Sequence, residues 1–467
     1  MQPAATASNR RSATDEERRA AREVAKAEFF HAPLSSHTYR ILHVIGEGAY
    51  GVVCAAVNEA SSERVAIKRI KSVLDSYPVA TRILRELKFL RLLRHHENVV
   101  TVADVLVPGE RDRFNDAFVV SELMPTDLSK LLRSATPLSG DHVKYLMFQL
   151  LRAVHFLHSS NVFHRDIKPN NILVNKKCEL RVCDFGLARA AFEEEPDPGF
   201  WTDYIATRWY RAPELIMAHL SNYSTAIDMW SVGCIFAEIL SRGRPLFPGR
   251  DSNHQFRLIV EVTGTPTAAE IDQLRNPMAK RAVLALPQRP RRSLQSILPD
   301  ADPAAVAVLE RMLEFDPQKR ISALGALHSE YFAAYAYMGL GAAAIPVPAA
   351  DFEFERRRMS PEEMRREFLK EIVYYHPELS DELLGDMPSR AYGRGTAAMA
   401  GAFASAIEMD DDGAGGEGGD AAAGSRRPPS HHTVGERDLE AINAAGGRRG
   451  GDFRSTTMDD QALKRLR

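Results

Sequence analysis

The feature that most constrains this chain is a set of three glycines with strand on both sides of it. In 39-YRILHVIGEGAYGVVCAAV-57, Gly46, Gly48 and Gly51 separate two runs rich in Ile, Val and Leu, and a third such run, 64-RVAIKRI-70, follows. β-Branched runs bounded by glycine read as strands. A G-x-G-x-x-G loop that binds a dinucleotide leads directly into a helix. Here more strand follows, so the glycines sit at the tip of a hairpin. Residues without side chains let such a tip lie close over phosphates, and Lys68, 17 residues beyond Gly51, can bring a fixed positive charge to them. Val65-Ala66-Ile67-Lys68 alone would read as a buried strand end. Its distance from the glycines is what gives it meaning.

The texture then changes. In 80-ATRILRELKFLRLL-93, Ile83, Leu84, Leu87 and Leu90 recur at helical spacing, with basic residues between them. The run 117-AFVVSEL-123 is another short buried strand. Beyond residue 127 the long apolar-periodic stretches are helical: 141–160, 224–241 and 303–315. The expected class is α+β in two lobes, a strand-rich one at about 38–123 and a helix-rich one at about 124–332, joined near Met124 to Thr126. Residues 333–380 form an extension expected to pack on these lobes, with Ser360-Pro361-Glu362-Glu363 opening a helix. Residues 1–37 are an N-terminal extension, partly disordered, although 15–30 has helical propensity. The stretch 381–467, rich in Ala, Gly, Asp and Arg, cannot bury enough surface to offset its ordering entropy and reads as a disordered tail.

Composition excludes several classes. A formal net charge of −2 argues against a dedicated nucleic-acid binder. The apolar run 338–350 is too short and too broken by proline to span a bilayer, and the first residues lack the apolar centre of a secretory signal. The four cysteines show no metal-ligand spacing and read as reduced thiols of a soluble intracellular protein.

The strongest local signal is 164-HRDIKPNN-171. Asp166 can accept a hydroxyl proton, Asn171 can hold a metal ion, and Lys168 can neutralise charge on a phosphate in transit. Asp184-Phe185-Gly186, with its aspartate 18 residues beyond Asp166, supplies a second metal ligand. Glu86, on the periodic helix, is the candidate to hold Lys68 by an ion pair. Glu214, in Ala212-Pro213-Glu214, can pair with Arg320 as a buried bridge. A solvated helix face is the bland reading of Glu86 alone, and the rest of the pattern outweighs it.

With these motifs in place, residues 38 to about 380 resemble the eukaryotic protein kinases, and among them the mitogen-activated protein (MAP) kinases. The resemblance rests on Thr202-Asp203-Tyr204, on 206-ATRWYRAPE-214 and on the insert between Gly249 and Arg320. The T-D-Y context and the stretch 352-FEFERRR-358 are similar to the plant and green-algal branch. The resemblance implies a two-lobed kinase fold and an ATP- and Mg2+-dependent, Ser/Thr-Pro-directed kinase. It places Ile45, Gly46, Glu47, Gly48, Gly51, Val53, Ala66, Lys68 and Glu86 about the nucleotide. Backbone of Glu122 and Met124 would meet adenine, and Asp127 the ribose. Catalysis falls to Asp166, Lys168, Lys68 and Thr207, and the metal to Asn171 and Asp184.

Thr202 and Tyr204 are the implied sites of activating phosphorylation, which would add about −3 to −4 in charge. Arg82, Arg85, Arg165 and Arg189 would grip the phosphothreonine, and Arg208 and Arg211 the phosphotyrosine. Any one of them alone reads as a solvated arginine; six converging on one loop do not. Proline is preferred after the target because it has no backbone N–H to leave unpaired. Implied partners are an upstream dual-specificity MAP kinase kinase, Ser/Thr-Pro substrates and phosphatases, with the kinase a monomer of cytoplasm and nucleus and no nucleic acid or membrane bound.

The chain also departs from the family. Clustered aspartates that dock basic peptides are missing from 331–350, leaving Asp351, Glu353 and Glu355 as substitutes, and Ser252, Asn253 and Phe256 stand where relatives have a second docking pocket. Ser121 falls at the back of the adenine pocket, where bulkier residues are usual. Cys183 reads equally as a thiol reachable from the nucleotide site or as an inert buried one. Two rivals remain. A pseudokinase scaffold would lack chemistry, against which Lys68, Asp166, Asn171 and Asp184 count. A cyclin-dependent type of kinase would carry a single loop threonine, against which Tyr204 counts.

Overall fold

The computed structural model describes residues 39–48, 51–106, 113–134, 137–191, 208–217, 224–272 and 277–385. Strands β1 (Tyr39–Gly48), β2 (Gly51–Asn58), β3 (Arg64–Ile70), β4 (Val102–Val105) and β5 (Ala117–Glu122) form one antiparallel sheet in the order β1-β2-β3-β5-β4. Side chains alternate across it. Val65 and Ile67 join Val44, Cys54, Phe118 and Val120 in a small core on one face. Ala66 and Lys68, out of phase with them, turn to the other face. Each such buried aliphatic or aromatic side chain contributes about 1.5–3 kcal/mol. At the start of β2, a Cβ on Gly51 would sit 1.8 Å from the Arg69 carbonyl oxygen, so only glycine lets β2 pair with β3 there.

Helix α1 (Tyr77–Leu93) crosses between β3 and β4 and buries Ile83, Leu84, Leu87 and Leu90, as its periodicity requires. The larger lobe carries three short strands, β6 (Thr126–Asp127), β8 (Ile172–Val174) and β9 (Leu180–Val182), paired in the order β6-β8-β9. A separate ladder joins β7 (Val162–Phe163) to β10 (Arg189–Ala190). Beneath them lie α2 (Gly140–Ser159), α3 (Ala226–Leu240), α4 (Ser252–Thr263) and α5 (Pro303–Met312). Ser139 and His142 cap α2 reciprocally, the serine oxygen taking the His142 N–H at 3.2 Å and the ring Nδ1 taking the Ser139 N–H at 3.1 Å. α3 is apolar on all sides and buries Trp230, Ile235 and Phe236, which makes it the central element of this lobe. Arg320 donates to Glu214 at 2.7 and 3.1 Å and to the Ala226 carbonyl at 2.7 Å, so the expected bridge forms with its guanidinium inaccessible.

After residue 332 the chain returns to the small lobe. Helix α6 (Pro361–Tyr375) starts at a capping box made by Ser360 and Glu363, with Pro361 in its first turn. It packs on α1, and the ring of Phe352 lies tilted against that of Phe89, centroids 4.5 Å apart. A further turn, Ser380–Leu384, buries Leu383 and crosses the boundary drawn at residue 380. Among the described residues no helix is long and apolar enough to cross a membrane.

Candidate active site

The small lobe contributes one fixed charge pair. Lys68 faces α1 and donates from Nζ to both carboxylate oxygens of Glu86, at 3.0 and 3.1 Å. Burial by itself would lower the Lys68 pKa; Glu86 and Asp184 outweigh it and raise it, so the amine is charged. Ile45, Gly46, Glu47 and Gly48 lie on β1, Gly51 and Val53 on β2, and Ala66 beside Lys68 on β3, so the hairpin roofs the lysine. At the far end of β5 the Glu122 side chain is turned aside, accepting from Arg181 Nε at 3.1 Å and from the Thr101 N–H at 3.1 Å. Met124 follows in the connection between the lobes. Asp127 accepts the Lys130 N–H at 2.9 Å and caps the short helix Leu128–Arg133.

The larger lobe contributes the loop from His164 to Asn171, held from below by Asp228 in the first turn of α3. This fully buried carboxylate accepts from the backbone of His164 at 2.9 Å, the backbone of Arg165 at 2.8 Å and His158 Nε2 at 3.0 Å. Burial pushes its pKa up, but the His158 hydrogen bond, the nearby His164 and the Arg165 N–H bring it below the ordinary carboxylate range. Asp228 escaped the sequence reading. A lone acid inside the apolar run 226-AIDMWSVGCIF-236 was the available signal, since a buried charge needs such partners. Above it, Asp166 accepts from Lys168 Nζ at 2.6 Å and from Asn171 Nδ2 at 3.1 Å. Asn171 Nδ2 also donates to the Asp166 carbonyl at 3.0 Å, which leaves its Oδ1 as the atom able to face a cation.

Two residues here have left-handed backbones, Arg165 at φ 66° and Asp184 at φ 64°. Such strain persists where surroundings over-determine it, and both flank the reacting groups. Asp184 precedes the turn Phe185–Leu187. Burial raises its pKa, and Lys68, Arg82, His164 and Lys168 together reverse that and lower it, keeping the carboxylate ionised. The Phe185 ring sits 4.9 Å from His164 and 6.4 Å from Phe89 of α1. A Cβ on Gly186 would lie 2.6 Å from Arg82 Nε, so a side chain there would push the Arg82 guanidinium aside. One cation from the sheet, two carboxylates and an amide oxygen thus converge between the lobes.

The protein kinase domain family matches residues 39–332. Mitogen-activated protein kinase 14 of Oryza sativa subsp. japonica is 45% identical over 365 residues, covering 78% of this chain and 67% of that protein. Mitogen-activated protein kinase 12 of the same plant is 45% identical over 357 residues, 76% of this chain and 61% of that one. Mitogen-activated protein kinase 20 of Arabidopsis thaliana is 44% identical over 352 residues, 75% and 58% of the two chains. This chain belongs to the MAP kinases. The family is one of protein serine/threonine kinases, and the matched stretch covers 58–67% of the length of these relatives.

Thr202 and Tyr204, which carry the MAP kinase switch in the sequence reading, and Thr207, assigned there to catalysis, lie outside the described residues. Their arginines can be placed. Arg82 and Arg85 are on α1, Arg165 beside Asp166, Arg189 on β10, Arg208 in the turn Arg208–Tyr210 and Arg211 just after it. Contacts of Arg82, Arg165, Arg189 and Arg85 bear on the site. Arg82 stands 3.7 Å from Asp184, Arg165 donates to the Leu187 carbonyl at 3.2 Å, and Arg189 to that of Ala188 at 2.8 Å. Arg85 donates to the Gly186 carbonyl at 2.7 Å and also to the carboxylate of Glu355. Arg165, Asp166, Lys168, Tyr210, Arg211 and Ser231 enclose a small polar hollow beneath the catalytic loop.

The frame settles points that the sequence left open. Asp351 and Glu355 cannot serve as a spare acidic docking site, because Asp351 pairs with Arg91 at 2.6 Å and Glu355 with Arg85; Glu353 alone of the three is exposed. Phe256 does not line a surface pocket: it is buried against Phe315, with Ser252 and Asn253 left outside. Burial, with Asp184 and Glu86 adding to it, pushes the Cys183 thiol pKa well up and keeps it protonated near neutral pH, although the residue is partly exposed. The contacts of α1 with the C-terminal segment were not legible in the sequence. Lys88 donates to Glu371 at 3.0 Å, Arg91 to Glu371 at 2.8 Å, and Tyr77 to the Arg357 carbonyl at 2.8 Å. The helix that carries Glu86 is thus clamped by its own chain.

Proposed function

We propose that this chain is an ATP- and Mg2+-dependent, Ser/Thr-Pro-directed protein kinase switched on by phosphorylation of Thr202 and Tyr204. The observation that carries the reading is the bidentate Lys68–Glu86 pair opposite Asp166, Asn171 and Asp184. Lys68, charged and fixed, orients the nucleotide phosphates beneath the β1–β2 hairpin. The backbone of Glu122 and Met124 would meet adenine, while the Glu122 side chain is turned aside to Arg181 and the Thr101 N–H. Asp127 adds a carboxylate at the ribose end. Asp166 accepts the proton of the substrate hydroxyl, and Lys168 offsets charge on the phosphate in transit. Thr207 would tie loop order to these two.

Asp184, held ionised, and Asn171, with its carbonyl oxygen left over, make a hard oxygen donor pair suited to Mg2+, which typically takes only one or two protein ligands together with substrate phosphates. When bound, the metal neutralises and orients those phosphates. The T-D-Y arginines supply the switch: Arg82, Arg85, Arg165 and Arg189 would receive phospho-Thr202, and Arg208 and Arg211 phospho-Tyr204. That reading brings with it an upstream dual-specificity MAP kinase kinase, opposing phosphatases, and action as a monomer in cytoplasm and nucleus. A cyclin-dependent type of kinase is disfavoured because α1 is already held by the segment after residue 332.

The switch is tested by treating wild type, Thr202→Ala and Tyr204→Phe with an activating kinase and measuring peptide phosphorylation. Each variant should leave most of the activation unrecovered, and acidic substitutes should restore little, since one carboxylate has less charge and fewer oxygens than a phosphate. Full activation of the double variant refutes the switch.

A further inference from the structure

Glu355 lies beyond the matched kinase domain, yet its carboxylate reaches the catalytic machinery. One oxygen accepts from Arg85 Nε on α1, and the other stands 3.8 Å from Arg189 Nε on β10. Arg85 is 8% exposed and Glu355 19%, so the pair is largely shielded from water. The same Arg85 donates from NH1 to the Gly186 carbonyl, in the turn that follows Asp184. Through Glu355, therefore, the helix carrying Glu86 is tied to the strand leading into the activation loop.

We propose that Glu355 is a positioning residue, a built-in anion that occupies part of the phosphothreonine site and holds α1, with Glu86 on Lys68, before the loop is phosphorylated. The proposal rests on the reading of Arg85 and Arg189 as phosphate ligands. Without an anion, two guanidinium groups from different elements repel, and a shielded Arg85 loses its charged acceptor. A carboxylate relieves both, but with one charge and two oxygens it does so less completely than a phosphate with nearly two charges and three oxygens. The chain should therefore have a low basal activity that depends on Glu355. Phospho-Thr202 then completes the site and makes Glu355 dispensable. A plain structural tether would instead matter equally in both states.

The test compares full-length wild type, Glu355→Gln and Glu355→Asp, each unphosphorylated and each phosphorylated at Thr202 and Tyr204 to a stoichiometry fixed by mass spectrometry. For the unphosphorylated chain, Glu355→Gln should lower kcat about tenfold while the peptide KM stays within about twofold. After phosphorylation the loss should shrink to less than about threefold. Glu355→Asp, which keeps the charge, should lose less than the Gln variant in the unphosphorylated state. Hydrogen exchange across residues 77–93 should be faster in unphosphorylated Glu355→Gln and return to the wild-type rate on phosphorylation. Equal losses in the two states, or an unphosphorylated Glu355→Gln as active as wild type, overturns the proposal. Should the Gln variant not fold, the same comparison on Glu355→Asp decides, an equal loss in both states again overturning it. If stoichiometric phosphorylation fails to activate wild type, the proposed switch falls, while the unphosphorylated comparison still decides the role of Glu355.

Discussion

Glu371→Gln is the sharpest probe of the clamp on α1. Glu371 accepts from Lys88 at 3.0 Å and from Arg91 at 2.8 and 3.3 Å, and its side chain and that of Lys88 are only 3% and 2% exposed. Burial alone would lower the Lys88 pKa; Glu371 and Glu367 overcome that and raise it, so a charged ammonium sits inside. Removing one partner of a buried pair costs about 3–5 kcal/mol when the other is left alone. Here neither cation is. Lys88 keeps Glu367 at 3.3 Å and Arg91 keeps Asp351 at 2.6 Å, so roughly half the cost is expected, about 2 kcal/mol. At about 2–4 °C per kcal/mol for a large domain, the melting temperature should fall about 4–8 °C by calorimetry. Because α1 carries Glu86, kinase activity should fall as well. The double variant Lys88→Met/Glu371→Leu removes both buried charges and should recover much of the stability. A Glu371→Gln protein melting within about 1 °C of wild type would refute the reasoning.

Asp228→Asn tests the support beneath the catalytic loop. Its folded pKa is depressed, so its stabilisation is fully present above the unfolded value near 4 and is lost as pH falls through the lower folded value. The variant should be less stable than wild type at neutral pH, and urea denaturation should show the gap closing below about pH 4; a gap independent of pH contradicts this. Ser121, paired with Ala66 on β3 and with Val102 on the edge strand β4, should leave room behind adenine for purine-like inhibitors with bulky additions at the exocyclic nitrogen. Ser121→Phe should abolish that sensitivity at little cost to ATP affinity, and equal inhibition of the two proteins would mean the space is already filled.

The catalytic groups were legible because their spacing is local. Asp166 and Asn171 share one loop, Lys68 follows the glycines on the next strand, and Glu86 needed only a helix with a clear apolar period. The contacts that hold α1 were not, because Lys88–Glu371 and Arg85–Glu355 join residues 283 and 270 apart. A chain with 122 charged side chains offers many such pairings, and periodicity does not choose among them. The sheet was incompletely read for a different reason. Val102–Val105 is a four-residue edge strand with only two buried positions, too short for alternation to register. The covered face of the helix that carries Phe256 was not legible, because one aromatic on a helix gives no sign of which face is covered. Its burial depends on Phe315, fifty-nine residues away.

The central claim is phosphoryl transfer from ATP to Ser or Thr before proline, with Asp166 as base. It is tested most directly by measuring label transferred from ATP to a Ser-Pro peptide and to its Ser-Ala twin, using the activated chain and Asp166→Asn side by side. The activated chain should label the Ser-Pro peptide, leave the Ser-Ala twin nearly unlabelled and lose the reaction with Asp166→Asn. Equal labelling of the two peptides, or Asp166→Asn turnover within about threefold of wild type, would contradict the account.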